Sequence, residues 1–159
     1  MQTTPWGTIA AQVQAALQSA ITYAKITIIG GAEEYIANQV SQAQVDSVAI
    51  LIAPPRGSSY MPSNQPKLSG VFRRKYEFQI LVVAKTDPNF VGRLVGVNTK
   101  VGIDQILTDV YRALEHNNFG GLMENKAGTN FEVGWSKEPL EDKAITIFST
   151  IYTAIKIER

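Results

Sequence analysis

The sequence contains no cysteine and a single histidine, His116. The first absence removes disulfides, thiolate nucleophiles and cysteine-held metals together. It leaves the compartment open, because a cysteine-free chain is stable in either redox environment. The second leaves no partner imidazole for a histidine-based metal centre. Net charge is scarce as well: 15 Lys and Arg against 14 Asp and Glu give +1, which excludes a globally basic nucleic-acid binder. Residues 1–24 carry no charged side chain, yet Gln2, Gln12, Gln14, Gln18 and Ser19 break up their apolar residues. Neither a secretory leader nor a membrane span of about 20 predominantly apolar residues fits that pattern. Internal repeats and low-complexity tracts are absent.

The catalytic inventory is equally thin. No G-x-S-x-G elbow is present, and Gly30-Gly31 or Gly92, Gly96 and Gly102 match no phosphate-cradling pattern. His116 falls near the end of an amphipathic helix, where an imidazole suits the dipole. Asp104 and Asp109 are five apart and share a helical face poorly. Glu33 and Glu34 fall at a helix start, which also suits the dipole. Glu138, Glu141 and Asp142 surround Pro139 beside Lys137 and Lys143, the pattern of a solvated turn. Each carboxylate group therefore has a plainer use than catalysis, and neither an enzyme nor a cofactor or metal site is expected.

What remains is an ordinary globular composition, 45% hydrophobic over 159 residues. At this length one domain is expected, and roughly two thirds of the extended-chain surface can be buried. Thr4 and Pro5 open a helix, and Ile9, Val13, Leu17 and Ile21 recur every four residues as its apolar stripe. Residues 25–29 form a β-branched run ending at Gly30-Gly31, hence a strand and turn. Residues 32–42 suit a short helix. The apolar run 47–53 suits a strand buried on both faces, stopped by Pro54-Pro55. Residues 54–70 contain Pro and Gly throughout and no periodicity, so they read as a long loop, an excursion from the domain.

Residues 71–84 alternate, with Phe72, Arg74, Tyr76, Phe78, Ile80, Val82 and Ala84 on one side and Val71, Arg73, Lys75, Glu77, Gln79, Leu81 and Val83 on the other. Residues 143–157 make a second long strand, with Ile at 145, 147, 151, 155 and 157 against Thr146, Thr150 and Lys156. Two such strands suggest pairing with each other and projecting past the body. Between them, Asp104 begins a helix with Ile106, Leu107, Val110, Tyr111 and Leu114 on its buried face. Asn117-Asn118 and Gly120-Gly121 end it through left-handed cap conformations. Phe131, Val133 and Trp135 alternate as a short strand. Helices and strands mix without βαβ regularity, so the fold class is α+β: a mixed, largely antiparallel sheet with two long strands and two main amphipathic helices packed on it.

Charge is uneven along the chain. Residues 56–100 hold eight cations against Glu77 and Asp87, whereas residues 101–159 hold six cations against nine anions. Such segregation suits either a nucleic-acid surface or complementary faces for head-to-tail self-association. The association candidates are Tyr60, Met61, Arg73, Arg74 and Lys75 on a basic base, meeting Glu138, Glu141 and Asp142 of a neighbour. A nucleic-acid-binding accessory module using residues 56–100 is the alternative.

The layout resembles the tail terminator (tail-completion) proteins of long-tailed bacteriophages. The resemblance rests on the N-terminal amphipathic helix, the strand Tyr76-Glu-Phe-Gln-Ile-Leu-Val-Val83 and the helix Ile106-Leu-Thr-Asp-Val-Tyr-Arg-Ala-Leu114. A Pro139-Leu140 turn and a final long strand complete it. It implies a structural virion protein that forms a ring, typically a hexamer, at the head-proximal end of the tail tube. The ring would stop tail polymerisation and offer the surface for head–tail joining. Implied partners are further copies of itself, the tail tube protein, a head–tail connector or neck protein and, in a contractile tail, the sheath protein. No membrane is implied; the location is the virion, after synthesis in the bacterial cytoplasm. The family pattern carries no catalytic residues.

Overall fold

The computed structural model describes residues 5–30, 48–54, 63–66, 72–85, 96–97, 100–115, 117–121, 123, 131, 135–140 and 145–158. Helix α1 (Pro5–Ala20) starts with proline at its first position, where the missing N–H costs no hydrogen bond. Its every-fourth-residue stripe is the buried one: Ile9, Val13, Leu17 and, just past the end, Ile21 are all inaccessible. The Ile21 amide donates to the Leu17 carbonyl at 2.7 Å and closes the last turn.

Strand β1 (Ala24–Ile28) lies parallel to β2 (Val48–Ala53), with Ala24 opposite Val48. β2 runs antiparallel to β4 (Phe72–Lys85), and β4 antiparallel to β8 (Ile145–Glu158). β7 (Ser136–Leu140) borders β8 on its other side, giving the order β1-β2-β4-β8-β7. One parallel pair among antiparallel ones makes the sheet mixed and largely antiparallel, as the alternation patterns predict. β4 and β8 stay paired over 14 positions, from Phe72 opposite Glu158 to Lys85 opposite Ile145.

Helix α2 (Ile103–Leu114) covers the same sheet face as α1. Ile103, Ile106, Val110 and Leu114 face inward together with Trp6, Val13, Leu17, Ile50, Ile52, Phe78, Ile80, Val82 and Tyr152. The even residues of β4 and β8 supply this face. On the opposite face Ile29, Leu51, Ala53, Leu81, Val83 and Ile147 form a second buried cluster. β2 is therefore buried on both faces, as its unbroken apolar run suggests. In β8 the helix-covered face belongs to Phe148, Tyr152 and Ala154, while Ile147 belongs to the opposite cluster.

Several expectations need correction. Asp104 does not begin α2; Gly102 is its N-cap, in extended conformation, without a side-chain cap. The helix ends on Glu115, also extended, before the Asn pair. Asn117 acts instead through its side chain, donating to the Ala113 carbonyl at 3.0 Å and accepting from the Phe119 amide at 2.8 Å. Among the described residues the left-handed ones are Phe119, Gly120 and Gly121. Pro139 and Leu140 form no turn: both lie in β7 opposite Thr146 and Ile145. A proline is tolerated there because β7 is an edge strand, where one missing N–H interrupts no central ladder.

Within the expected 54–70 loop, Ser63–Pro66 forms strand β3, antiparallel to the start of β4. Ser-Asn-Gln-Pro has no apolar alternation; its pairing rests on backbone hydrogen bonds, which side-chain periodicity does not report. β5 (Gly96–Val97) and β6 (Lys100–Val101) make a small two-stranded ribbon just before α2. Phe131 bridges Tyr152, but Val133, the expected helix at 32–42 and the remainder of the 54–70 loop lie outside the described residues. Among the described residues no helix is long and apolar enough to cross a membrane.

Candidate assembly interface

β2 and β3 share one edge of β4. Ala53 stands opposite Gln79 and Ser63 opposite Lys75, so residues 54–62 span just the three β4 positions 76–78. In that interval the Trp6 indole N–H donates to the Glu77 carbonyl at 2.9 Å, and the Trp6 ring stacks on Phe78 at 5.1 Å. α1 is thus pinned where the ladder with β2 stops. Beyond this point the ribbon runs on as three strands, β3, β4 and β8.

That end carries the basic run. Arg73 is opposite Gln65 and Ile157, Arg74 opposite Asn64 and Lys156, and Lys75 opposite Ser63 and Ile155. Lys75 is half-buried. The cross-strand row Asn64, Arg74, Lys156 places two basic residues at opposing register positions. Lys156 was not among the expected interface residues. The charge run of the 73–75 stretch is visible locally, whereas its juxtaposition with Lys156 depends on a register between residues 82 apart.

Glu138 is elsewhere. It pairs with Ile147, whereas Arg73 pairs with Ile157. Ten β8 residues separate the two positions, roughly 34 Å at 3.4 Å per residue. The structure therefore holds Arg73 and Glu138 at positions towards opposite ends of one ribbon. Tyr60, Met61, Glu141 and Asp142 lie outside the described residues, as do His116, Glu33 and Glu34.

Other polar groups have structural uses. Asp109 accepts hydrogen bonds from the Tyr23 hydroxyl at 2.5 Å and the Gln105 amide at 2.6 Å, tying the turn before β1 to α2. Burial, then the hydrogen bond and negative charge of Asp109, raise the Tyr23 pKa well above its ordinary 10.0. Burial also raises that of Tyr111, with a hydrogen bond from Thr150 opposing and Glu115 adding. Tyr111, Phe131, Trp135 and Tyr152 form a chain of ring contacts, the closest at 4.4 Å between Tyr111 and Phe131. The Tyr152 hydroxyl donates to the Leu114 carbonyl at the end of α2. Among the described residues no group of three or more His, Asp or Glu side chains is placed to hold a metal ion.

No protein-family model matches the chain, and no curated protein matches it.

Proposed function

We propose that this chain is a structural virion protein of the tail-terminator kind. In this reading it is not an enzyme; it closes into a homo-oligomeric ring, a hexamer by analogy, at the head-proximal end of a phage tail tube. The ring caps tube growth and receives the head connector. One observation carries the proposal: the basic run and Glu138 sit towards opposite ends of a continuous two-stranded ribbon. A closed ring needs two different, mutually complementary surfaces on each protomer, and the separation of the basic run from Glu138 along the ribbon supports such a polarity. The mixed sheet with both helices on one face is compatible with the same layout.

Mass measurement by light scattering over a concentration series, with imaging of the largest species, tests the reading. The expected result is a closed ring that grows in population with concentration and weakens as salt is raised. A two-fold dimer persisting at all concentrations overturns it. So does tight duplex-DNA binding with a steep salt slope by a protein that never assembles.

A further inference from the structure

A sheet edge is where a chain can add a strand from another molecule, and the register decides which backbone groups face outward there. The Ile29 amide donates to the Ile52 carbonyl at 2.9 Å. Along a strand, the N–H and C=O of one residue share a side, and the side alternates from residue to residue. Lys25, Thr27 and Ile29 therefore turn their backbone groups to β2, whereas Ala24, Ile26 and Ile28 turn theirs away from it. β1 ends the sheet, and among the described residues no strand lies beyond it. Its sequence, Ala-Lys-Ile-Thr-Ile, is rich in β-branched residues and suits pairing.

The outward carbonyl at the middle of this edge is already engaged. The Gln14 side-chain amide of α1 donates to the Ile26 carbonyl at 3.0 Å. Gln14 is half-buried and follows Val13, whose burial fixes the helix against the sheet. The first turn of α1 makes the same kind of contact, since the Trp6 indole donates to the Glu77 carbonyl where β4 lies between the ends of β2 and β3. Carrying the alternation across β2, β4 and β8 turns Lys137 and Pro139 outward on β7. Proline has no N–H to offer at that edge. Each edge stretch thus has a backbone group withheld from strand addition.

We propose that Gln14 is an edge guard: by holding the Ile26 carbonyl it stops β1 from pairing with the β1 of a second copy. The register identifies the excluded partner. Two β1 edges related by a two-fold axis at Ile26 pair antiparallel, with Ile26 opposite Ile26, Ala24 opposite Ile28 and Lys25 opposite Thr27. That arrangement sets no lysine directly opposite its own copy, and its central hydrogen-bonded pair needs the carbonyl that Gln14 holds. β7 is a poorer partner for β1, because Pro139 lacks the outward donor. The inference stands apart from the ring reading: it names an edge that copies do not use, whatever surface they do use.

The variant Gln14→Met keeps the length of the side chain and removes its donor. The full chain is followed by sedimentation velocity over a concentration series and by residue-resolved amide exchange. Gln14→Met is expected to form a two-fold dimer at concentrations where the wild type shows no such species. In that dimer the Ala24, Ile26 and Ile28 amides should exchange at least about tenfold more slowly than in the dilute variant. The Lys25, Thr27 and Ile29 amides, already turned to β2, should not change, a pattern that general destabilisation does not produce. Circular dichroism melts establish folding; if Gln14→Met does not fold, Gln14→Ala is measured with the same expectation. Unchanged mass and exchange in the folded variant overturn the proposal. So does a dimer whose Ala24, Ile26 and Ile28 amides gain no protection, because its contact lies elsewhere. Concentration-dependent protection of those three amides in the wild type makes the β1 edge an interface despite Gln14 and overturns the guard as well.

Discussion

The two halves of the β4–β8 ribbon are built from the same two strands by different physical rules. In the body half, Phe78, Ile80 and Val82 are fully buried under α1 and α2, and Phe78 packs against both Trp6 and Tyr152. Burial fixes the register there, because a one-residue slip would turn every apolar side chain to the wrong face. In the distal half, Arg73, Arg74 and Lys75 meet Ile157, Lys156 and Ile155. The backbone ladder continues there, and Ile155, opposite Lys75, is still buried. The contrast teaches that one continuous ladder can carry two sequence patterns, apolar alternation in the body and charged residues opposite apolar ones beyond it.

Truncation at the centre of the body half should have the largest effect. Phe78→Ala removes a fully buried ring and two aromatic neighbours, and should cost about 3–5 kcal/mol in urea unfolding. A loss under 1 kcal/mol would mean that the core is not organised around Phe78. Next comes Tyr152→Phe, which deletes a buried hydroxyl donating to the last turn of α2. It should cost about 0.5–1.5 kcal/mol, with faster amide exchange around Leu114.

Substituting the distal half should barely move the fold. Arg73→Ser with Lys75→Ser should shift unfolding by no more than about 0.5 kcal/mol per site while weakening ring formation measurably. Stability falling as far as in the Phe78 variant would erase the distinction between the halves. The smallest effect concerns the exposed Tyr23–Asp109 link. Because the folded-state pKa of Tyr23 is raised, the folded protein holds that proton more tightly than the unfolded chain. Stability is therefore full below pH 10 and falls as pH rises above it. Tyr23→Phe should flatten part of that alkaline slope; an identical slope in the variant would show that the link is not maintained in solution.

Much of the body half was legible in the sequence for the same reason that it is stable. The stripe of Ile9, Val13, Leu17 and Ile21, the run 48–53 and the alternation through Tyr76, Phe78 and Ile80 all report burial, and burial is what periodicity measures. β3 was missed because Ser-Asn-Gln-Pro has no apolar alternation to signal its pairing with β4. β7 was misread because Pro139 signals a turn unless the edge position of its strand is known. The start of α2 was misplaced because Gly102 caps with its backbone conformation and offers no side-chain signature. At the candidate interface, the charges of Arg73, Arg74 and Lys75 were visible. The opposition of Arg74 to Lys156 and the distance to Glu138 were not, since both follow from long-range register.

The shared edge of β4 also bears on how the gene could be edited. β2 and β3 occupy one lane of the sheet, and each is fastened separately to β4, Ala53 at Gln79 and Ser63 at Lys75. Residues 54–62 work as a splice between two docked ends, so codons can be added there without shifting the frame of pairing on either flank. Doubling the length of such a connection adds only about 0.6 kcal/mol of closure entropy. An insertion at the splice is accordingly expected to leave the pairings of β2 and β3 with β4 intact.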